Sequence, residues 1–375
     1  MLTLVMTVVL VALIFEYVNG FHDTANSIAT VVATKVLSPG QAVMLAASTN
    51  LIGALWGTAV AKTIASGLIN AGVVDVGAQL ILCALLGAII WNLITWWLGL
   101  PSSSSHALIG GLVGAALAAA ANNFDAIIFN QPMDPWYKSA GVLWKVIVPM
   151  VSSPILGFTA GFLLMGVLFA IISAMARSGG WLARLARPRW VNGFFGKAQL
   201  ASAGYMGFAH GMNDAQKTMG IIALLLVSAQ ANGVLDDLPG WLAFLHPSPG
   251  ALSDGDIDIW IKITCALVMA AGTAAGGWRI IKTLGHKLVK LHPIHGFAAE
   301  ASAASVITLA SSLGIPVSTT HNISSAIMGV GTAKRFNAIK WTVVEKMVWA
   351  WILTIPMAGG MAYGLFLLFA KLGWT

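Results

Sequence analysis

The stretch VNGFHDTANS, residues 18–27, lies between an uncharged run, Met1 to Phe15, and a second apolar run that begins after Ser27. A helix that crosses a bilayer needs roughly 20 apolar residues. Here the middle of such a candidate carries Asn19, Gly20, His22, Asp23 and Asn26. A polar break at membrane depth survives only where it lines a cavity inside the protein. Intramembrane Asp and His are rare and mark a substrate or ion path. The stretch therefore predicts a helix over 1–35 that is broken at a working site, in preference to a plain loop between two short helices.

The rest of the chain supports a membrane setting. Of its 375 residues 58% are hydrophobic and 9% charged, whereas a soluble globular chain carries about a quarter charged residues. Apolar stretches of spanning length recur throughout, continuous rather than alternating, so the expected class is an all-α polytopic membrane protein and not a β-barrel. Forty glycines suit close helix packing in lipid. Cys83 and Cys265 lie within apolar runs and read as small buried hydrophobes. No Lys or Arg precedes Lys35, so the N-terminus lacks the basic region of a cleaved signal and reads as a retained span. The net charge of +7 is assigned to cytoplasmic loops, with no nucleic-acid partner expected.

Two loops of opposite sign orient the chain. Residues 177–197 hold Arg177, Arg184, Arg187, Arg189 and Lys197 without an acid, and so are expected in the cytoplasm. Residues 231–258 hold Asp236, Asp237, Asp254, Asp256 and Asp258 without Lys or Arg, and are expected outside. The sequence also repeats. GFHDTANSIAT from Gly20 is echoed by GMNDAQKTMGI from Gly211, matching Gly20 to Gly211 and Asp23 to Asp214. LPSSSSHALIGGLVG from Leu100 is echoed by IPVSTTHNISSAIMG from Ile315, matching Pro101, Ser103, His106 and Gly114 to Pro316, Ser318, His321 and Gly329.

These echoes give two halves, 1–176 and 198–375, joined by the basic linker 177–197. The first contains the broken helix 1–35 and a hairpin at about 76–121. The second contains a broken helix at 198–230 and a hairpin at about 294–335. Tracking the charged loops makes corresponding pieces run in opposite directions, an inverted-topology repeat with two broken helices and two re-entrant hairpins. Many secondary transporters share that plan.

The two Pro-x-Ser-(Ser/Thr)-(Ser/Thr)-His stretches read as hairpin tips. Proline suits a turn or the first helical position, and the hydroxyl run supplies N-caps for the helix that follows. Such helix starts aim N–H groups and a positive dipole end at a ligand. Two tips meeting at the midplane would surround an anion with donors, and Lys217 would add charge. Asp23 and Asp214 would repel a fully ionised tetrahedral anion but accept hydrogen bonds from a protonated one. That favours phosphate over sulfate. The same carboxylates could hold a coupling cation.

At these residues the chain resembles the inorganic phosphate transporter (PiT) family, in particular its bacterial low-affinity permeases. GFHDTANSIATVV, GMNDAQKTMGII, PSSSSHALIGG, PVSTTHNISSAIMG and GFAAEASAASV carry the resemblance, which spans about residues 15–365. It implies symport of inorganic phosphate with a proton or sodium, in the inner membrane and with no cofactor besides that coupling cation. The cargo is expected as free phosphate or metal-phosphate, and the chain alone or as a homo-oligomer. The substrate residues implied are Asp23, Asn26, Ser103, Ser104, Ser105, Asp214, Lys217, Ser318, Thr319 and Thr320. Candidates for the coupling ion are Gly20, His22, Asp23, Asn26, Gly211, Asn213, Asp214 and Glu300, with unwound carbonyls at the two glycines. His22 stands where sodium-dependent relatives have Asn, which hints at proton coupling.

His106 and His321 read either as proton shuttles or as donors that fix the tip hydroxyls. Glu16 reads as a path or an interfacial residue. Trp96, Trp97, Trp349 and Trp351 read as interfacial anchors or packing. Two rival functions were weighed. An intramembrane hydrolase is disfavoured because adjacent Ser–His pairs rarely reach triad geometry and no G-x-S-x-G elbow occurs. An anion channel of the same architecture would differ in showing no dependence on a cation gradient.

Overall fold

The computed structural model describes residues 1–250 and 257–373; Asp254 and Asp256 of the acidic loop fall outside them. Thirteen α-helices, and no strand, are found among the described residues. The first half contributes α1 (Leu2–Ala33), α2 (Pro39–Ala54), α3 (Ala59–Ser66), α4 (Ala78–Leu98), α5 (Ser104–Ala119) and α6 (Val148–Arg177). After the short α7 (Gly180–Leu185) come α8 (Pro188–Ala231), α9 (Ile259–Ala275) and α10 (Trp278–Lys282). The chain closes with α11 (Pro293–Ser312), α12 (Thr319–Lys334) and α13 (Trp341–Lys371).

Composition explains which helices face lipid. Among the described residues α1, α4, α6 and α13 are each long and apolar enough to cross a membrane. Only 17% of the most apolar stretch of α6 and of α13 is buried, against 67% for α4. Val151, Ile155, Leu163 and Val167 on α6, and Trp349, Ile352 and Leu368 on α13, are exposed. A soluble protein could not leave so much apolar surface in water. These two helices form the outer wall, and the polar helices α1 and α8 lie within.

Packing is reciprocal between the halves. α1 packs on α9 while α8 packs on α2; α5 packs on α13 while α12 packs on α6; α4 lies on α1 as α11 lies on α8. α1 and α8 cross antiparallel: Glu16 accepts from Thr218, and at the other end Thr34 donates to Gln199 over 2.9 Å. α4 packs on α5 across the connection 99–103, and α11 on α12 across the connection 313–318.

Two expectations need correction. Neither α1 nor α8 is broken, since both run as uninterrupted α-helix through their polar stretches. The side chains there find partners on the neighbouring tips, so the backbone has no reason to unwind. Gly20 and Gly211 serve close approach instead. A Cβ on Gly20 would lie 2.3 Å from the Met269 carbonyl oxygen of α9, and one on Gly211 2.2 Å from that of Asn50 on α2. Their carbonyls stay within the helices and are not offered to a cation; that of Gly20 also accepts from the Thr24 hydroxyl at 2.7 Å. The bend falls one helix later: α9 and the segment from Trp278 to Lys287 make a span kinked by 57°. There Gly276 adopts φ +73°, a conformation that glycine reaches without strain.

The basic linker 177–197 is also largely helical. Arg177 ends α6, Arg184 lies in α7, Arg187 caps α8, and α8 starts at Pro188 rather than near 198. Proline at a first helical position lacks only an N–H that would be unpaired anyway. Cys83 and Cys265 are buried and free.

Candidate functional site

Helical spacing puts Glu16, Asn19, Asp23, Asn26 and Thr30 on one face of α1, because positions three and four apart lie one above the other. All five are buried. Antiparallel crossing with α8 brings Asp23 next to His210 and Asp214, whose ligand atoms all lie within 4.8 Å of one another. His210 Nε2 lies 3.0 Å from Asp214 Oδ2, and its Nδ1 is 3.1 Å from Asn50 Oδ1. Lys217 makes an ion pair with Asp214, one turn earlier on α8.

The two tips close on these carboxylates from the hairpins. At the start of α5 the Ser104 hydroxyl reaches Asn19 Oδ1 at 2.6 Å and Asp23 Oδ2 at 2.7 Å, and Ser105 accepts from Lys217. At the start of α12 Thr319 donates to Asp214 at 3.0 Å and Thr320 to Asp23 at 3.4 Å. Asn26 Nδ2 bridges to Thr319 at 3.2 Å and to Thr320 at 2.9 Å. Ser103 and Ser318 are the N-caps: Ser103 accepts from the His106 N–H at 3.3 Å and Ser318 from the His321 N–H at 3.2 Å. Their hydroxyl protons remain available to a ligand. None of the ten expected substrate residues is more than 5% exposed. The site is closed to water on all sides.

The candidates for the coupling ion separate into two groups. His22 belongs to the centre, its Nδ1 2.7 Å from Asp23 Oδ1 and its Nε2 3.1 Å from Thr95 Oγ1. Asn213 holds a tip in place through Nδ2 to the Val317 carbonyl at 3.3 Å. Glu300 stands apart: it accepts from Thr30, Gln199 and Ser202, none of them in the Asp23–Asp214 cluster. His106 and His321 stack edge to face, with ring centroids 4.8 Å apart. Among the described residues neither ring bonds a tip hydroxyl, so they pack the tips and do not tether them. Trp351 does similar work, with His321 4.2 Å from its ring and its N–H donating to the Pro101 carbonyl at 3.0 Å. Trp97 is exposed and stacks on Arg279, 4.4 Å away, as an interfacial anchor would.

Sequence reasoning noted Asn19 only as part of the polar break and gave no site role to it, His210, Thr95 or Ser102. The repeat held a signal for two of them, since Asn19 and His210 each precede the matched glycine. Ser102 and Thr95 emerge only in three dimensions, where Ser102 donates to Thr95 at 2.8 Å behind His22.

In chemical terms the centre offers two carboxylates, one ammonium, four hydroxyls beside the two caps' own and two helix starts, all desolvated. Hydroxyl and N–H donors recognise oxyanion oxygens, carboxylates accept from a protonated oxyanion, and Asp23, His210 and Asp214 could together hold a cation.

Comparison with known proteins places the chain in a family. Residues 19–362 match the model of the phosphate transporter family. A probable low-affinity inorganic phosphate transporter of Bacillus subtilis is 40% identical over 366 residues, 97% of each chain. One from Rhizobium meliloti is 43% identical over 356 residues, 95% of this chain and 93% of that one. Among solved structures, the sodium-dependent phosphate transporter superposes with a TM-score of 0.77 at 22% identity, covering 98% of this chain and 99% of that one. With a family match across nearly its whole length and relatives this similar, the chain belongs to the phosphate transporter family.

Proposed function

We propose that the protein imports inorganic phosphate by symport with a proton or sodium, alternating access about the buried Asp23–Asp214 centre. The observation that carries this reading is the convergence of two hydroxyl-bearing hairpin tips, one from each half, on two carboxylates and a lysine sealed from water. In this reading Ser104, Ser105, Thr319, Thr320 and Lys217 bind phosphate oxygens, with the N–H groups at the starts of α5 and α12 adding donors. Asp23 and Asp214 accept its O–H groups and, where the cation is sodium, hold it together with His210.

Residues 1–176 and 198–375 are taken as inverted halves about the linker 177–197, which faces the cytoplasm of an inner-membrane protein. The reciprocal helix packing and the antiparallel crossing of α1 and α8 support that division. Two tips that depend on opposite halves can be released one at a time, which is what alternating access requires. The relatives are named as transporters, and no tip serine pairs with an adjacent histidine ring among the described residues, so the hydrolase reading has no support. The test is uptake of radiolabelled phosphate into proteoliposomes with sodium and proton gradients imposed separately. Saturable uptake driven by one gradient, with little sulfate uptake, is the expected result. Equal uptake of both anions, or uptake indifferent to both gradients, contradicts the proposal.

A further inference from the structure

One buried carboxyl group plays no part in the centre just described. Glu16 is fully inaccessible on α1, seven residues and so two turns before Asp23 on the same face. One of its oxygens accepts from Thr218 of α8, while Oε1 has no hydrogen-bond partner among the described residues. The groups that act on it are Asn19 of its own helix, Thr218, Asp214 and Lys217 of α8, and Cys265 of α9. Lys217 is the one cation in that set, and it is committed to Asp214.

An ionised carboxylate stripped of water and given no cation is very costly, whereas a neutral carboxylic acid costs no more than any other buried polar group. Glu300, at the far end of the α1–α8 crossing, differs in accepting from three donors, Thr30, Gln199 and Ser202, which stabilise a charge. Glu16 has Thr218 and Asn19 beside it, one donor fewer, and its Oε1 is bare and free to take a proton.

We propose that Glu16 is the residue on which the coupling proton travels, an assignment that rests on the phosphate-symport reading above. Phosphate entering the centre draws Lys217 from Asp214. The Asp214 charge, no longer neutralised, then acts on Glu16, and as the site closes and strips the carboxylate of water it takes one proton from the outer side to become the carboxylic acid. When the centre opens to the cytoplasm and phosphate leaves, Lys217 returns to Asp214, water reaches Glu16, and it gives that proton up on the same side. One proton thus moves with each phosphate, and the two bindings reinforce each other.

The test uses full-length protein in proteoliposomes and compares the wild type with Glu16→Gln. The glutamine keeps an oxygen for Thr218 but cannot release a proton. Three readouts are needed: accumulation of labelled phosphate under a proton gradient, phosphate-dependent proton entry reported by an internal pH dye, and exchange of external labelled for internal unlabelled phosphate at equal pH. Exchange needs the centre and the conformational cycle but no net proton release. We expect Glu16→Gln to lose accumulation roughly tenfold or more and to abolish proton entry, with exchange kept within about twofold. Glu16→Asp, which retains a titratable carboxyl, should recover part of the accumulation.

Accumulation and proton entry that survive in Glu16→Gln would overturn the assignment, as would wild-type uptake driven by sodium alone. Loss of exchange along with accumulation in both variants would also overturn it, by making Glu16 a structural or phosphate-binding group. Absence of phosphate exchange in the wild type would instead refute the underlying transport reading.

Discussion

Replacing Gly211 by alanine pushes a methyl group into the backbone of α2. The new Cβ would lie 2.2 Å from the Asn50 carbonyl oxygen and 2.9 Å from the Asn50 Cα. Comfortable contact begins at about 3.5 Å, so the helices must part by on the order of 1 Å. The obstacle is main chain and cannot swing aside, which places the cost within the range of about 1–3 kcal/mol for overpacking. Alanine regains roughly 0.5–1 kcal/mol over glycine inside a helix. The net loss is therefore about 1–2 kcal/mol, or roughly 1–3 °C in the thermal midpoint of a chain this long.

Gly204, two turns earlier on α8, is the control, because its Cβ would meet just the side chains of Thr49 at 3.6 Å and Leu45 at 3.8 Å, both ordinary contacts. Gly204→Ala should leave the midpoint unchanged or raise it. Thermal unfolding of both variants in detergent, followed by tryptophan fluorescence, decides the matter. Gly211→Ala should also slow phosphate uptake, since Asn50 holds His210 against Asp214. Equal midpoints for the two variants would refute the view that glycine at 211 is there for backbone approach.

Further expectations concern the centre and one helix start. Asp214→Asn leaves Lys217 and His210 without their anion and should cost about 1.5–3 kcal/mol of substrate stabilisation, roughly a 10- to 150-fold loss of uptake, in protein that still purifies monodisperse; uptake kinetics matching the wild type would remove Asp214 from the site. Thr319→Val keeps the shape but not the donor, so uptake should fall about fivefold, read as a change in KM or kcat in the same proteoliposome assay. His292, the N-cap of α11, is held below the ordinary histidine range by partial burial and then by Lys334 and Lys290. Its neutral form is thus favoured on folding, and the associated stability is full above the unfolded value near ~6.5 and lost as pH falls below it. Midpoints measured from about pH 8 down to 5 should decline in the wild type and decline less in His292→Asn.

Much of this arrangement could be read directly from the chain, because the repeat pairs its chemistry. Asp23 with Asp214, and the two hydroxyl runs with each other, are visible as matched strings, and the hairpin boundaries follow from Pro and Ser capping chemistry. What could not be read was how the polar stretches would be satisfied. Asn19 and Asp23 take the Ser104 hydroxyl from another helix, so α1 can stay helical where its own sequence suggested a break. The glycines misled for the same reason: Gly20 answers to Met269, some 250 residues away, and no local pattern announces that contact. Glu300 was drawn toward the centre by resemblance, yet its partners lie on a different stretch of α1 and α8. The linker 177–197 was legible in charge and illegible in conformation, since arginine favours helix as readily as loop.

The exchange of partners between halves has a consequence for how the chain is made. α5 rests on α13, a helix synthesised more than 200 residues after it, and Gly114 abuts the Gly359 backbone so closely that a Cβ there would sit 2.0 Å from its carbonyl oxygen. Until α13 is threaded into the bilayer, the second arm of the first hairpin has no lid, and its glycine-lined flank must wait in lipid or be sheltered by insertion machinery. A message truncated before Trp341 would therefore yield a product that is recognised as unfinished from its amino-terminal end, although every residue there has already been synthesised.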